Sequence, residues 1–241
     1  MRQAGAGRPY ELAIFDFDGT LADSAVWLRG VVGEVADRFG FRVPSEADYA
    51  AFRGQDGSAI MRHLGVPAWK LPRIAAHMRA LAARDAGQIR LFPGAGETLR
   101  RLHAGGVALA VVSSNAEANV RRVLGPEHAA LIGRYECGAA LFGKAARFRR
   151  VLLRCGVAPA DALCIGDEVR DVKAARDAGI AFGAVSWGYA APEVLRAHGA
   201  AVVFGTVEEI AAELLDGAAR AVSVTPGAAS PVAGVRAVES R

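Results

Sequence analysis

The stretch Leu12-Ala-Ile-Phe15 is uninterrupted apolar sequence, and it stops on two carboxylates two positions apart, Asp16 and Asp18, followed by Gly19 and Thr20. A short apolar run that ends at a turn residue reads as a strand buried on both faces, the kind found in parallel sheets covered by helices. Comparable runs return at 107–112, 163–165, 181–185 and 201–204, and stretches with helical spacing of apolar residues lie between them. Alternation of this kind predicts a parallel α/β sheet with helices on both faces. The pattern places helices over 95–103, from the end of the second strand to about Leu124, and over 144–154, 169–178 and 192–197. A last helix runs to Leu215, and a short strand falls near Ile132.

The segment from Ser24 to Ile89 interrupts this alternation. Trp27, Val31, Val35 and Phe39 form one stripe at helical spacing, and Ile74, Met78 and Leu81 form another, with Gly40, Pro44, Gly54, Gly65 and Pro67 as punctuation. The expected organisation is therefore an α/β core made of residues 10–22 and 90–216, with an all-helical insertion over 23–89. The ends, 1–9 and 217–241, have no sustained periodicity and are expected to be mobile tails.

The chain has 241 residues, enough for such a core and a small accessory unit, and its 52% hydrophobic content excludes wholesale disorder. The formal charge of +4 sits in the tails: Arg2 and Arg8 at one end, and Arg220, Arg236 and Arg241 against Glu239 at the other. The body is left neutral, without the basic stripe that nucleic-acid binding requires. No apolar stretch approaches the roughly 20 residues needed to span a bilayer, and the first residues lack a basic-then-apolar leader. These features predict a cytoplasmic protein with neither a membrane nor a nucleic-acid partner. Cys137, Cys155 and Cys164 are an odd set without metal-type pairing, which fits a reducing compartment. The five histidines have no ligand-like spacing.

Two carboxylates at the carboxyl edge of a strand stand where open α/β sheets bind ligands. Their chemical use is a divided role, with one ionised as nucleophile or metal ligand and the other passing a proton. Alone, the pair has the blander alternative of a polar strand end carrying two aspartates by chance. Similar ambiguity attaches to other single residues. A strand-end Ser113 is more often a helix cap than a ligand, Thr20 has a turn-stabilising alternative, and Lys144 could be a surface lysine. Even so, Lys144 is one of only three lysines in an arginine-rich chain.

Taken in order, the motifs resemble a known family. Asp16-Phe-Asp18-Gly-Thr20, the strand ending Ser113-Ser114-Asn115, Phe142-Gly-Lys144, and Gly166-Asp167-Glu-Val-Arg-Asp171 resemble the four signatures of the haloacid dehalogenase-like hydrolases, nearest the phosphoglycolate phosphatase-like branch. The resemblance covers roughly residues 11–215 and implies a Rossmann-like core, with the helical insertion as a cap that closes over the active site and shapes substrate choice. It implies a magnesium-dependent phosphatase for a small phosphorylated metabolite, 2-phosphoglycolate among the candidates. Asp16 would attack phosphorus to form an aspartyl-phosphate, and Asp18 would protonate the leaving oxygen and then activate water. The metal would be held by the Asp16 carboxylate, the Asp18 backbone carbonyl and Asp167, while Asp171 would hold Lys144 or a metal-bound water. Ser113 and Lys144, the amides of Gly19 and Ser114, and Thr20 beside Asp18 are expected around the phosphoryl group. Arg53, on a break in the insertion, could reach an anionic group of the substrate or be a surface arginine. Glu168 falls inside the fourth signature without an assigned role. The presence of Asp18 argues against dehalogenase chemistry. A phosphomutase of the β-phosphoglucomutase type and a non-catalytic binding protein are the alternatives, and oligomeric state is not legible.

Overall fold

A computed structural model of the chain describes residues 10–138 and 143–216. The expectations for the two tails, and for Phe142 of the third signature, lie outside the described residues.

The chain enters through β1 (Leu12–Phe15) and a tight turn, then forms β2 (Ala22–Asp23). Four helices follow: α1 (Ala25–Phe39), α2 (Glu46–Phe52), α3 (Gly57–His63) and α4 (Leu71–Arg84). After β3 (Arg90–Leu91) come α5 (Ala95–Ala104), β4 (Ala108–Val112), α6 (Glu117–Leu131), β5 (Arg134–Glu136) and α7 (Lys144–Cys155). The remaining elements are β6 (Ala162–Gly166), α8 (Val169–Ala178), β7 (Ala181–Val185), α9 (Pro192–Ala197), β8 (Val202–Phe204) and α10 (Val207–Asp216). No helix among the described residues is long and apolar enough to cross a membrane.

Six strands form one parallel sheet in the order β5-β4-β1-β6-β7-β8. The chain runs outward from β1 through β4 to β5, and then outward on the other side through β6 and β7 to β8. The strand order therefore reverses around β1, and the carboxyl end of β1 faces the crevice that this reversal opens. The apolar run works on both faces. Ala13 and Phe15 join one hydrophobic cluster with Leu99, Leu102, Ile210 and Leu214, whereas Leu12 and Ile14 join the other with Phe148, Val151, Val172 and Leu195. Successive strand residues point to opposite sides, so a strand covered on both faces must be apolar throughout. Each fully buried large side chain, such as Phe15 or Phe148, contributes roughly 1.5–3 kcal/mol of transfer free energy.

The helical insertion leaves and rejoins the core at one point, because β2 and β3 pair antiparallel, Ala22 with Leu91 and Asp23 with Arg90. Trp27, Val31 and Val35 of α1 are buried as their stripe predicts, and Leu81 of α4 is buried with Ile74 and Met78 packed beside it. Gly40 ends α1 in the left-handed conformation, its amide bonded to the Ala36 carbonyl.

The structure departs from the sequence reading in two places. The helix expected to end near Leu124 continues to Leu131, but it is broken at Gly125 (φ 73°, ψ 162°), where Pro126 follows. The first segment ends where the expected helix does, and the helical turns after Pro126 are additional to it. The short two-stranded ribbon was not anticipated, because two residues per strand carry no periodicity.

Candidate active site

The carboxyl ends of β1, β4 and β6 and the first turns of α7 and α8 meet at one place. The Asp16 amide donates to the Ile165 carbonyl at 2.8 Å, extending the β1–β6 pairing one residue past β1 and fixing where its carboxylate emerges. Asp16 Oδ1 accepts from the Phe17 amide at 2.8 Å, and Oδ2 lies 2.9 Å from Lys144 Nζ. Lys144 opens α7, and its ammonium also donates to Asp171 Oδ1 at 2.6 Å, so one cation bridges two buried carboxylates.

Asp167, just beyond β6, is fully buried, and each of its oxygens has a donor. The Thr20 hydroxyl donates to Oδ1 and the Tyr189 amide donates to Oδ2, both at 2.8 Å. Two glycines make room for it. A Cβ at Gly19, whose φ is +80°, would sit 2.3 Å from Asp167 Oδ2, and one at Gly188 would sit 2.1 Å from Asp167 Cβ. Side chains are excluded at both positions because the backbone passes against the carboxylate.

The electrostatics follow from burial and unequal charge counts. Burial alone would push Asp16 up, but Lys144 and Arg170 outweigh it and hold its carboxyl below the ordinary range. Burial and the adjacent Asp16 push Asp18 up to about 6. Asp171 is pushed up to about 7, mainly by burial and against the pull of Lys144, and Asp167 goes well above the usual carboxylate range, chiefly through burial and then through the negative charges of Glu168, Asp16 and Asp171. Burial would strip the Lys144 proton, yet Asp16 and Asp171 prevail and its pKa is raised. One side-chain amide, Asn115 Nδ2, donates to Asp18 Oδ2 at 3.2 Å, whereas Asp18 Oδ1 and Asp171 Oδ2 are buried with no hydrogen-bond partner among the described residues.

The donor set can be tested against a metal. Carboxylate oxygens of Asp16, Asp167 and Asp171 lie within 4.8 Å of one another, all three residues are buried, and one oxygen is orphaned. Clustered, hard, under-neutralised oxygen donors fit a magnesium-like divalent cation.

The other expected residues are placed as follows. Ser113, immediately past β4, is buried, and its Oγ accepts from the Asn115 amide at 3.0 Å, leaving its proton to donate. Ser114 is half-buried beside it, and its amide has no acceptor among the described residues. Three assignments change. The Gly19 amide turns back to the Ala22 carbonyl at 2.9 Å and is not a free donor for a phosphoryl oxygen; the glycine is there for its conformation and the closeness of Asp167. Thr20 commits its hydroxyl to Asp167, not to Asp18 or a phosphate. Arg53 is exposed and contacts none of the site carboxylates. Its guanidinium donates to the Gly188 carbonyl at 2.9 Å and its own carbonyl accepts from the Ala191 amide at 2.7 Å, so it fastens the helical insertion to the 186–191 loop. Glu168 accepts from Arg170 at 2.6 Å.

Sequence reasoning assigned no role to Asn115, Asn119, Arg170, Trp187, Gly188 or Tyr189. Asn115 had a signal, since it follows the strand-end serines directly. The 186–191 loop had none. Trp187 Nε1 donates to the Thr20 carbonyl at 3.1 Å, and the Tyr189 hydroxyl shares a 2.8 Å hydrogen bond with Ser24 Oγ, contacts that join distant parts of the chain.

Comparison with known proteins accords with this geometry. The family described as haloacid dehalogenase-like hydrolase matches residues 13–185. A phosphoglycolate phosphatase of Synechococcus elongatus is 32% identical over 177 residues, 73% of this chain and 84% of that protein. The tyrosine-protein kinase PtkA of Mycobacterium tuberculosis is 31% identical over 221 residues, 87% of this chain and 74% of its own. Among solved structures, a haloacid dehalogenase-like family protein of Streptococcus pneumoniae superposes with a TM-score of 0.65 at 20% identity, covering 85% of this chain and 98% of the other. CbbY of Rhodobacter sphaeroides, solved in complex with phosphate, gives 0.63 at 21%, covering 83% and 96%. At these identities the two structures speak for the fold alone.

Proposed function

The chain belongs to the haloacid dehalogenase-like hydrolases and is a phosphatase, and we propose that it hydrolyses a small phosphorylated metabolite, 2-phosphoglycolate foremost, through an aspartyl-phosphate on Asp16. The observation that carries the reading is the division of labour within one carboxylate pair. Asp16 is held ionised by Lys144 and Arg170, whereas Asp18, two residues on, is pushed up to about 6 and can carry a proton near neutral pH.

Phosphate monoesters hydrolyse extremely slowly, so the site must supply an in-line nucleophile and neutralise spread negative charge. In the proposed first step an Asp16 oxygen forms a bond to phosphorus, the ester P–O bond breaks, and Asp18 gives its proton to the leaving oxygen. In the second, Asp18 takes a proton from water as its oxygen attacks phosphorus, and Asp16 is released with inorganic phosphate. Lys144, the Ser113 hydroxyl and the Ser114 amide are the groups available to the phosphoryl oxygens. Asp16 and Asp167, with the Asp18 carbonyl, would hold magnesium, and Lys144 leaves Asp171 only its second oxygen, directly or through water. When bound, that ion offsets the repulsion between carboxylates and phosphate. The helical insertion is the cap of this reading, and its attachment to the core through Arg53 supports a role in admitting substrate.

The test is phosphate release from a panel of phosphorylated metabolites, 2-phosphoglycolate and sugar phosphates included, with magnesium and then with excess chelator. Strong magnesium-dependent release from 2-phosphoglycolate is expected. No release from folded protein, with the phosphoryl group appearing instead on a second hydroxyl compound, would replace hydrolysis with transfer.

A further inference from the structure

Asp18 is gripped by residues to which the proposed chemistry gives no task. Asn115 Nδ2 donates to Asp18 Oδ2, while Asn115 Oδ1 accepts from the Ala116 amide at 2.9 Å and from Asn119 Nδ2 at 3.0 Å. Asn119 Nδ2 donates its other hydrogen to the Arg79 carbonyl, 2.9 Å away in α4 of the helical insertion. Both asparagines are buried, at 7% and 3% exposure.

The neighbours dictate how both amides are oriented. A backbone N–H can only donate, so the end of Asn115 that meets Ala116 must be its oxygen, and its NH2 must then face Asp18. A backbone carbonyl can only accept, so Asn119 must present its NH2 to Arg79, and its second hydrogen meets Asn115 Oδ1. Flipping either amide would set like against like in a buried place, at a cost of about 1–3 kcal/mol per unsatisfied group. A continuous run of hydrogen bonds therefore links a carbonyl of α4 to Asp18: the Asn119 NH2 of α6 donates both ways, to Arg79 and to Asn115, and Asn115 behind β4 donates on to Asp18.

We propose that Asn115 and Asn119 are positioning residues for Asp18, and that their anchor on Arg79 ties the orientation of that carboxyl to the seating of α4 against the core. The inference rests on the reading of Asp18 as the group that passes the proton. With Oδ2 occupied by Asn115, Oδ1 is the oxygen left to carry and hand over that proton, and the Ser24 hydroxyl also lies against this carboxyl. An amide suits this task because it donates to Oδ2 equally well when the carboxyl is protonated on Oδ1 and when it is ionised. It has no labile proton of its own to exchange with its partner. A lysine or histidine here would compete for the proton, and a carboxylate would repel Asp18.

The experiment compares phenyl phosphate, whose leaving oxygen needs a proton, with 4-nitrophenyl phosphate, whose leaving group departs readily as an anion. Asn119→Leu removes both donors at nearly constant volume. It should lower kcat for phenyl phosphate by about tenfold and for 4-nitrophenyl phosphate by much less, with KM little changed for either. Asn119→Ala, which opens space instead of filling it, gives the same readout if the leucine variant does not fold, as judged by thermal unfolding. Asp18→Asn should show the same selectivity with a larger loss. Equal losses on both substrates, or none, in the Asn119 variants beside a selective Asp18→Asn would overturn the relay and leave the role of Asp18 standing. An unselective Asp18→Asn would overturn that role and the relay with it.

Discussion

Gly188→Ala is a one-methyl perturbation aimed at the packing of the 186–191 loop on Asp167. The φ of Gly188 is not positive, so the backbone conformation is open to alanine and the whole effect is steric. The added carbon would stand 2.1 Å from Asp167 Cβ, where ordinary contact begins near 3.4 Å, so loop and aspartate must part by roughly 1.3 Å. Asp167 Cβ belongs to a fully buried residue at the end of β6 and cannot swing aside as a flexible side-chain tip would. The loop must lift instead, loosening the Tyr189 amide from Asp167 Oδ2 and the Arg53 guanidinium from the Gly188 carbonyl. Misplacing an active-site group by about 1 Å costs on the order of 10²-fold in rate, or about 2.7 kcal/mol of transition-state stabilisation. Overpacking of this kind costs stability by about 1–3 kcal/mol, which a chain of this size tolerates. The assay is steady-state phosphate release over a magnesium titration, with a thermal melt alongside. Expected are a hundredfold lower kcat, a raised magnesium requirement and a retained cooperative melt. Gly57→Ala, at a helical position with nothing within 4 Å, should leave all three at wild-type values. Wild-type turnover and metal dependence in Gly188→Ala would refute the argument that the loop sets Asp167.

Lys144→Met strands two buried carboxylates; kcat should fall at least a hundredfold, and urea unfolding at pH 8 should show a loss of about 3 kcal/mol, smaller at pH 5 where the carboxylates can take up protons. Metal-free protein should be less stable at pH 8 than at pH 5. Asp18 and Asp171 have folded pKa values raised to about 6 and about 7, so their contribution is full below their ordinary value of 3.8 and is lost as pH rises through the raised ones. Melting curves with and without magnesium should therefore diverge as pH rises, and parallel curves would contradict the assignment. Arg53→Ala should raise KM more than it lowers kcat and speed hydrogen exchange in α2 and α3, because it unfastens the insertion from the 186–191 loop. Burial pushes the Cys137 thiol up to about 12 and Cys164 well above its usual value, so neither should react with a disulfide reagent at pH 8 in native protein.

The sheet was readable because its strands are buried on both faces, and such strands announce themselves as short apolar runs whatever their neighbours are. Asp16 and Asp18 could be placed at the carboxyl edge of the sheet because they end an apolar run, whereas Asp167 and Lys144 were expected beside them only through the order of the signatures that the chain resembles. What could not be read are partnerships made across the fold. Thr20 seemed to belong with Asp18, two residues away, but its hydroxyl goes to Asp167, 147 positions along the chain. Gly19 promised a free amide, and the turn it makes uses that amide internally. Arg53 carried the right charge for a substrate anion, and two backbone carbonyls claim its guanidinium. The 186–191 loop, which supports Asp167 and holds the insertion, has no periodicity and no local motif. Its function exists only in contacts that the fold creates.

The central claim is that Asp16 is the atom-bonding group of a magnesium-dependent phosphatase, and the most direct measurement is the turnover of Asp16→Asn beside wild type under saturating substrate and magnesium. The substitution keeps the size of the side chain and removes the nucleophilic carboxylate. Phosphate release no faster than wild type in excess chelator, from protein with an intact melt, is the predicted result. Magnesium-dependent release within about tenfold of wild type, a barrier change of only about 1.4 kcal/mol, would contradict it.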